Sequence, residues 1–157
     1  MHGLLLRCYN RMSMDIAHDD LIRILREHGI NPTVQRIELA RLMFGKKMHA
    51  TAEDLFHRVN RDEVHVSKAT VYNTLGAFAQ RGLIREVIID PTRTVYDSNM
   101  EPHHHFYNTE TGELLDIDSH EMTVKGLPPL PSGTEMAGVE VIVKLRPSHQ
   151  GQRQSSL

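Results

Sequence analysis

Residues 67–96 read SKATVYNTLGAFAQRGLIREVIIDPTRTVY, and a change of period inside this stretch decides the fold. As far as Arg81 the pattern is helical. Ser67 is a hydroxyl N-cap, Ala69, Val71, Tyr72, Leu75, Phe78 and Ala79 are the contact positions, and Gly82 supplies a left-handed stop. From Leu83 to Ile89 the residues become apolar and β-branched, Asp90-Pro91 makes a turn, and residues 93–96 return. Helices that hand over directly to a two-stranded hairpin describe a winged helix-turn-helix. Residues 67–81 are then its recognition helix and residues 90–93 the tip of its wing.

Upstream, the helical period continues. A first helix starts from Asp15, with Ile16, Leu21, Ile22, Ile24 and Leu25 on one broad face, and ends at Gly29. Pro32 opens a second, with Asn31 as its cap and Val34, Ile37, Leu39, Ala40, Leu42 and Met43 as its stripe; Gly45 closes it. Thr51-Ala52-Glu53-Asp54 is a capping box for a third helix that buries Leu55, Phe56 and Val59.

Downstream of Asn99 the character changes. Residues 103–107 and 113–117 read as strands around a turn at 109–112, and residues 119–125 suit a short helix. The three prolines and two glycines of residues 126–133 force an extended connection to a last strand within 139–145. The expected fold class is therefore α+β. A flexible arm (1–14) precedes a winged-helix DNA-binding domain (15–98), a small α/β domain (99–147) and a flexible tail (148–157).

The chain has 157 residues and a net charge of −2, which conceals an asymmetry. Residues 1–85 carry 13 Lys/Arg against 9 Asp/Glu, whereas residues 86–157 carry 5 against 11. A basic first half and an acidic, histidine-rich second half suit a polyanion-binding module followed by a cation-binding one. No apolar run approaches the roughly 20 residues of a membrane span or forms a signal-peptide core, so no membrane partner is expected. Cys8 is the single cysteine, which excludes an intramolecular disulfide and a zinc knuckle of several thiolates, and points to a reducing, cytoplasmic setting.

From Ser67 to Arg85 there is no acidic residue. Ser67, Thr70 and the helix N-terminus suit phosphates, Lys68 neutralises one, Asn73 suits adenine edges and Tyr72 suits thymine methyls. Arg36, just inside the second helix, and Arg93, at the wing turn, are suited to the phosphate backbone. One winged helix buries too little surface for tight specific binding, so a homodimer on a two-fold-symmetric double-stranded DNA site is expected.

Eleven histidines are the compositional oddity. On a strand, His103 and His105 project from one face and His104 from the other. Two imidazoles at that spacing make a pincer, to which Asp97, Asp116 and His49 add further donors. Such a nitrogen and oxygen set takes Fe2+, Mn2+, Co2+ or Zn2+ with little discrimination. Two readings from other classes stay open: a non-haem iron enzyme built on two histidines and a carboxylate, and a metal-independent DNA-binding protein whose histidines are incidental.

Four stretches in order resemble the ferric uptake regulator (Fur) family: Asn31-Pro32-Thr33-x-Gln35-Arg36, residues 49–56 (HATAEDLF), residues 69–75 (ATVYNTL) and His103-His104-His105. The resemblance spans residues 15–145. It implies a winged-helix domain followed by a dimerisation domain, with His49, Asp97, His103, His105 and Asp116 at a hinge metal site that promotes operator binding. The two Cys-x-x-Cys pairs of most members are missing, Asn108 and Thr111 standing where the first would be, so no structural four-cysteine zinc is expected. In this the chain is most similar to the iron response regulator (Irr) branch, in which a histidine stretch like His103, His104 and His105 is implicated in haem binding. The implied function is a metal- or haem-responsive, homodimeric transcriptional regulator of iron homeostasis that binds a palindromic operator and is not an enzyme.

Overall fold

The computed structural model describes residues 15–61 and 65–148, so the expected arm over 1–14 and nearly all of the expected tail lie outside the described residues. The chain divides into two compact units between Glu101 and Pro102.

In the first unit the element order is α1 (His18–Glu27), α2 (Val34–Met43), β1 (His49–Ala50), α3 (Ala52–Val59), α4 (Lys68–Gln80), β2 (Arg85–Asp90) and β3 (Arg93–Asp97). Two helix starts follow the expected caps. Ser67 Oγ accepts the Thr70 N–H at 3.1 Å. The Thr51 hydroxyl accepts the Asp54 N–H at 3.1 Å while the Asp54 carboxylate accepts the Thr51 N–H at 3.0 Å. The start of α2 differs: Thr33, not Asn31, is the cap. The Thr33 N–H is drawn back onto the Asn31 carbonyl at 3.0 Å, which shifts helix entry by two residues. Gly29 and Gly82, each at φ +68°, make the left-handed stops after α1 and α4.

The four helices surround one apolar core containing Leu21, Leu25, Leu39, Met43, Leu55, Leu75 and Phe78, all without solvent exposure. Phe44 and Phe78 meet in a tilted pair with centroids 5.1 Å apart. Val34, expected in the core stripe, is instead 61% exposed, because as the first residue of α2 it precedes the turn that meets the other helices. Ala69 is exposed as well. Asn60 closes the turn between α3 and α4: its amide donates to the Phe56 and Val66 carbonyls at 2.8 and 3.0 Å and its oxygen accepts the Val66 N–H at 2.7 Å. The strands form an antiparallel sheet in the order β1-β3-β2. Two-residue β1 was not expected, and it sets His49 directly across from Asp97.

In the second unit, β4 (His103–Asn108) forms an antiparallel hairpin with β5 (Leu114–Asp118) and pairs in parallel with β6 (Ile142–Leu145), giving the order β5-β4-β6. The short helix expected over 119–125 is absent. The Glu121 N–H closes a turn on the Asp118 carbonyl at 2.9 Å, and exposed, extended chain follows. Gly126 at φ +79° and the prolines after it leave no room to propagate a helix. Asn108 caps the hairpin turn, its side-chain oxygen accepting the N–H groups of Glu110 and Thr111 at 3.0 and 3.2 Å.

The Thr51 hydroxyl and backbone N–H hold the Asp54 carboxyl below the ordinary carboxylate range. A carboxyl whose pKa is lowered by folding contributes stability above its unfolded pKa and loses it as pH falls through the folded value. Asp54→Asn is therefore expected to lower stability at neutral pH by about 0.5–1 kcal/mol, the range for a contact at an exposed helix start. Urea midpoints of the two proteins should converge as the pH is brought down towards 3; a constant gap across that range would remove Asp54 ionisation from the account.

Candidate functional site

Helix α4 presents Lys68, Tyr72 and Asn73 on its exposed side and Val71, Leu75 and Phe78 to the core. Tyr72 is 52% exposed, so it is a surface aromatic and not part of the core. It borders an open groove of about 750 Å³ lined by residues 51–54, 92–94 and Tyr96 as well. Arg93 opens β3 at the wing turn, across the ladder from Asp90; it is half-buried, and its charge helps to hold the Asp54 carboxyl low. The wing tip is closed by Asp90, whose carboxylate accepts both the N–H and the hydroxyl of Thr92 at 2.8 and 2.7 Å. Burial pushes the Tyr96 phenol up, and Glu86, its partner across the ladder, adds to the effect.

Four other residues expected at the DNA have partners within the first unit. Lys68 Nζ donates to both Glu53 carboxylate oxygens at 2.9 Å, and His57 Nε2 lies 3.1 Å from the same carboxylate. The Lys68 ammonium is the main cause of the lowered Glu53 pKa. Ser67 and Thr70 share a hydroxyl–hydroxyl bond of 2.9 Å. Arg36 Nη1 donates to the Asn31 carbonyl at 3.0 Å. Such exposed contacts are weak enough for a phosphate to replace them.

Among the expected metal ligands, the first unit brings His49 and Asp97 together. His49 Nε2 lies 3.6 Å from Asp97 Oδ1, and the Asp97 side chain has no solvent exposure. The turn after β3 fixes this carboxylate, since the Asn99 N–H donates to Oδ1 at 2.7 Å. Ser98 fixes the imidazole side. Its hydroxyl donates to the Lys46 carbonyl and accepts the Met48 N–H at 3.1 Å, while the Ser98 N–H donates to the Met48 carbonyl at 3.1 Å. The loop that delivers β1 is thereby sewn to the end of β3.

The second unit brings His103, His105 and Asp116 together. His105 pairs with Asp116 across the β4–β5 ladder. The two Nε2 atoms of His103 and His105 are 2.9 Å apart, and Asp116 Oδ1 lies 3.5 and 3.7 Å from them. Ligand bonds of 2.0–2.2 Å give polyhedron edges of about 3.0–3.5 Å, so each cluster is of the size that a first-row divalent ion spans. All five residues carry donors that such ions take. His104 is separate from the other two histidines: its Nδ1 accepts the Val141 N–H at 3.3 Å.

One residue beside this cluster escapes the sequence reading. Glu140 Oε1 lies 3.1 Å from His105 Nδ1. The two are 35 positions apart, and only the parallel β4–β6 pairing joins them.

The Ferric uptake regulator family model matches residues 27–127 of the chain. The peroxide-responsive repressor PerR of Staphylococcus aureus (strain Mu50) is 29% identical over 105 residues, which cover 67% of this chain and 71% of that protein. Among solved structures, the Pseudomonas aeruginosa ferric uptake regulator with manganese aligns at 21% identity and a TM-score of 0.59, covering 78% of this chain and 94% of that one. The Vibrio cholerae ferric uptake regulator aligns at 15% identity and a TM-score of 0.61, covering 80% and 98%. These two alignments establish the α+β fold. Among the described residues no helix is long and apolar enough to cross a membrane. The family match extends over more than half of the sequence, and the chain accordingly belongs to the ferric uptake regulator family, whose members are dimeric, metal-responsive DNA-binding transcriptional regulators and not enzymes.

Proposed function

We propose that His49, Asp97, His103, His105 and Asp116 bind one divalent cation, Fe2+, Mn2+ or Zn2+, and that this ion sets operator affinity in a cytoplasmic homodimeric regulator of iron homeostasis. The observation that carries this reading is the pair of imidazole–carboxylate clusters, one in each unit, with edges of 3.6 Å in the first and 3.5 and 3.7 Å in the second. Five residues separate Asp97 from His103. When bound, the ion supplies positive charge that lets the carboxylates stay ionised while buried, and a bond to each unit that favours one orientation of the recognition helices.

Tyr72, Asn73 and Arg93 are the proposed contacts to a palindromic operator, joined by Arg36, Ser67, Lys68 and Thr70 at its phosphates. Repression is the sign we adopt, after the staphylococcal relative. The likeness to the Irr branch rests on Asn108 and Thr111, which hold the hairpin turn without thiolates. Haem at His103, His104 and His105 draws less support. The His103 and His105 rings meet edge to face with centroids 4.5 Å apart, a spacing that suits a small ion, and His104 is engaged by Val141.

The test uses the full-length protein and a duplex selected by it from a random pool in the presence of Mn2+. One Mn2+ should bind per chain, and its removal should weaken specific binding by about 5–150-fold. Asp97→Ala and Asp116→Ala should each abolish the Mn2+ effect; retention of the full effect by either variant would show that the clusters do not share an ion. On the same duplex, Tyr72→Ala is expected to lower specific affinity more than affinity for random DNA. Lys68→Ala should lower both alike and reduce the salt slope by about one. Equal loss on both kinds of DNA for Tyr72→Ala would remove it from base reading.

A further inference from the structure

We infer that Glu140 is a positioning residue of the metal centre: its carboxylate holds His105 by Nδ1 and so commits Nε2 of that ring to the cation. The inference rests on the shared-ion reading and extends it to a residue that does not itself touch the ion.

The His105 ring is fully buried between two carboxylates. Glu140 Oε1 is 3.1 Å from Nδ1, whereas Asp116 Oδ1 is 3.7 Å from Nε2. A neutral imidazole has one N–H: on Nδ1 it faces Glu140 at 3.1 Å, and on Nε2 it faces His103 Nε2 at 2.9 Å. A cation on Nε2 takes the lone pair there and leaves the proton on Nδ1, the side that faces Glu140. The arrangement is a carboxylate–histidine pair of the kind that orients a ligating ring and raises its basicity.

Glu140 is delivered to this position by a pinned backbone. The residue after it, Val141, accepts the His105 N–H on its carbonyl at 2.9 Å and donates its own N–H to His104 Nδ1 at 3.3 Å. Two successive histidines of β4, one through its backbone and one through its ring, thus fix the chain just before β6. The same proposal gives the contact between His103 and His105 a direction. With the His105 proton on Nδ1, the hydrogen bond of 2.9 Å between the two Nε2 atoms is donated by His103. Binding a cation at both nitrogens then requires His103 to carry its proton on Nδ1 instead.

The experiment compares full-length wild type, Glu140→Gln and Glu140→Ala. Nitrogen NMR of labelled histidines in chelator-treated protein reads the His105 tautomer, and electron paramagnetic resonance reads Mn2+ affinity. Wild type should show the Nδ1–H form of His105, and Glu140→Ala should lose that preference. Mn2+ affinity should fall by about 10–100-fold in Glu140→Ala, with a smaller loss in Glu140→Gln, which keeps the side-chain shape and an acceptor oxygen. The metal-free melting temperature should be unchanged in Glu140→Gln. An Nε2–H tautomer in wild type, wild-type Mn2+ affinity in both variants, or a metal-free melting temperature that falls in step with affinity would each overturn the role of Glu140. Wild type that binds no Mn2+ overturns the shared-ion reading and this inference with it, and it does so before any variant is compared.

Discussion

An imidazole set across an antiparallel ladder from a carboxylate, His49 against Asp97 in one unit and His105 against Asp116 in the other, is the constraint to which the other structural features answer. Taking a carboxylate out of water is costly unless charge or hydrogen bonds replace the lost hydration. Asp97 has no exposure and His105 none, so the surrounding chain has to supply that replacement. It does so with local groups: the Asn99 N–H at Asp97, the Ser98 hydroxyl at the loop that carries His49, and Glu140 behind His105. A hydrophobic pair at either position would pack with less cost. Polar burial of this kind is retained where a ligand makes use of it, as the divalent ion proposed above would.

The first unit was the more legible in the sequence, because its signals are local. Ser67, Thr51 and Gly82 act within one helical turn, and the change of period after Gly82 is visible without any tertiary information. Asn31 and Val34 misled because a helix start is decided by which backbone N–H is left over, and here the turn at Thr33 settled that. Strand β1 was hidden because two residues carry no period; it exists only through pairing with β3. The expected ligands His103, His105 and Asp116 came from alternation on a strand and its returning partner, and the ladder sets them side by side. Glu140 had no such signal, since a parallel pairing across an extended connection leaves no local trace. Lys68 and Arg36 were read as available cations, whereas the folded chain gives each a partner that the linear pattern does not display.

In the second unit the hairpin turn is closed by side chains. Asn108 gathers two backbone N–H groups, and the Thr111 hydroxyl accepts the Glu113 N–H at 3.3 Å. An amide side chain that satisfies consecutive N–H groups does for a tight turn what an external cross-link does elsewhere. The β4–β5 register that sets His105 across from Asp116 therefore follows from the turn itself and from strand pairing.

That amide-capped turn separates architecture from regulation. With Cys8 as the sole cysteine, far upstream of the hairpin, oxidants have no thiol there to convert, and reductants have no cross-link there to open. Stripping divalent ions from such a protein leaves the hydrogen bonds of this turn in place, since none of them passes through a metal.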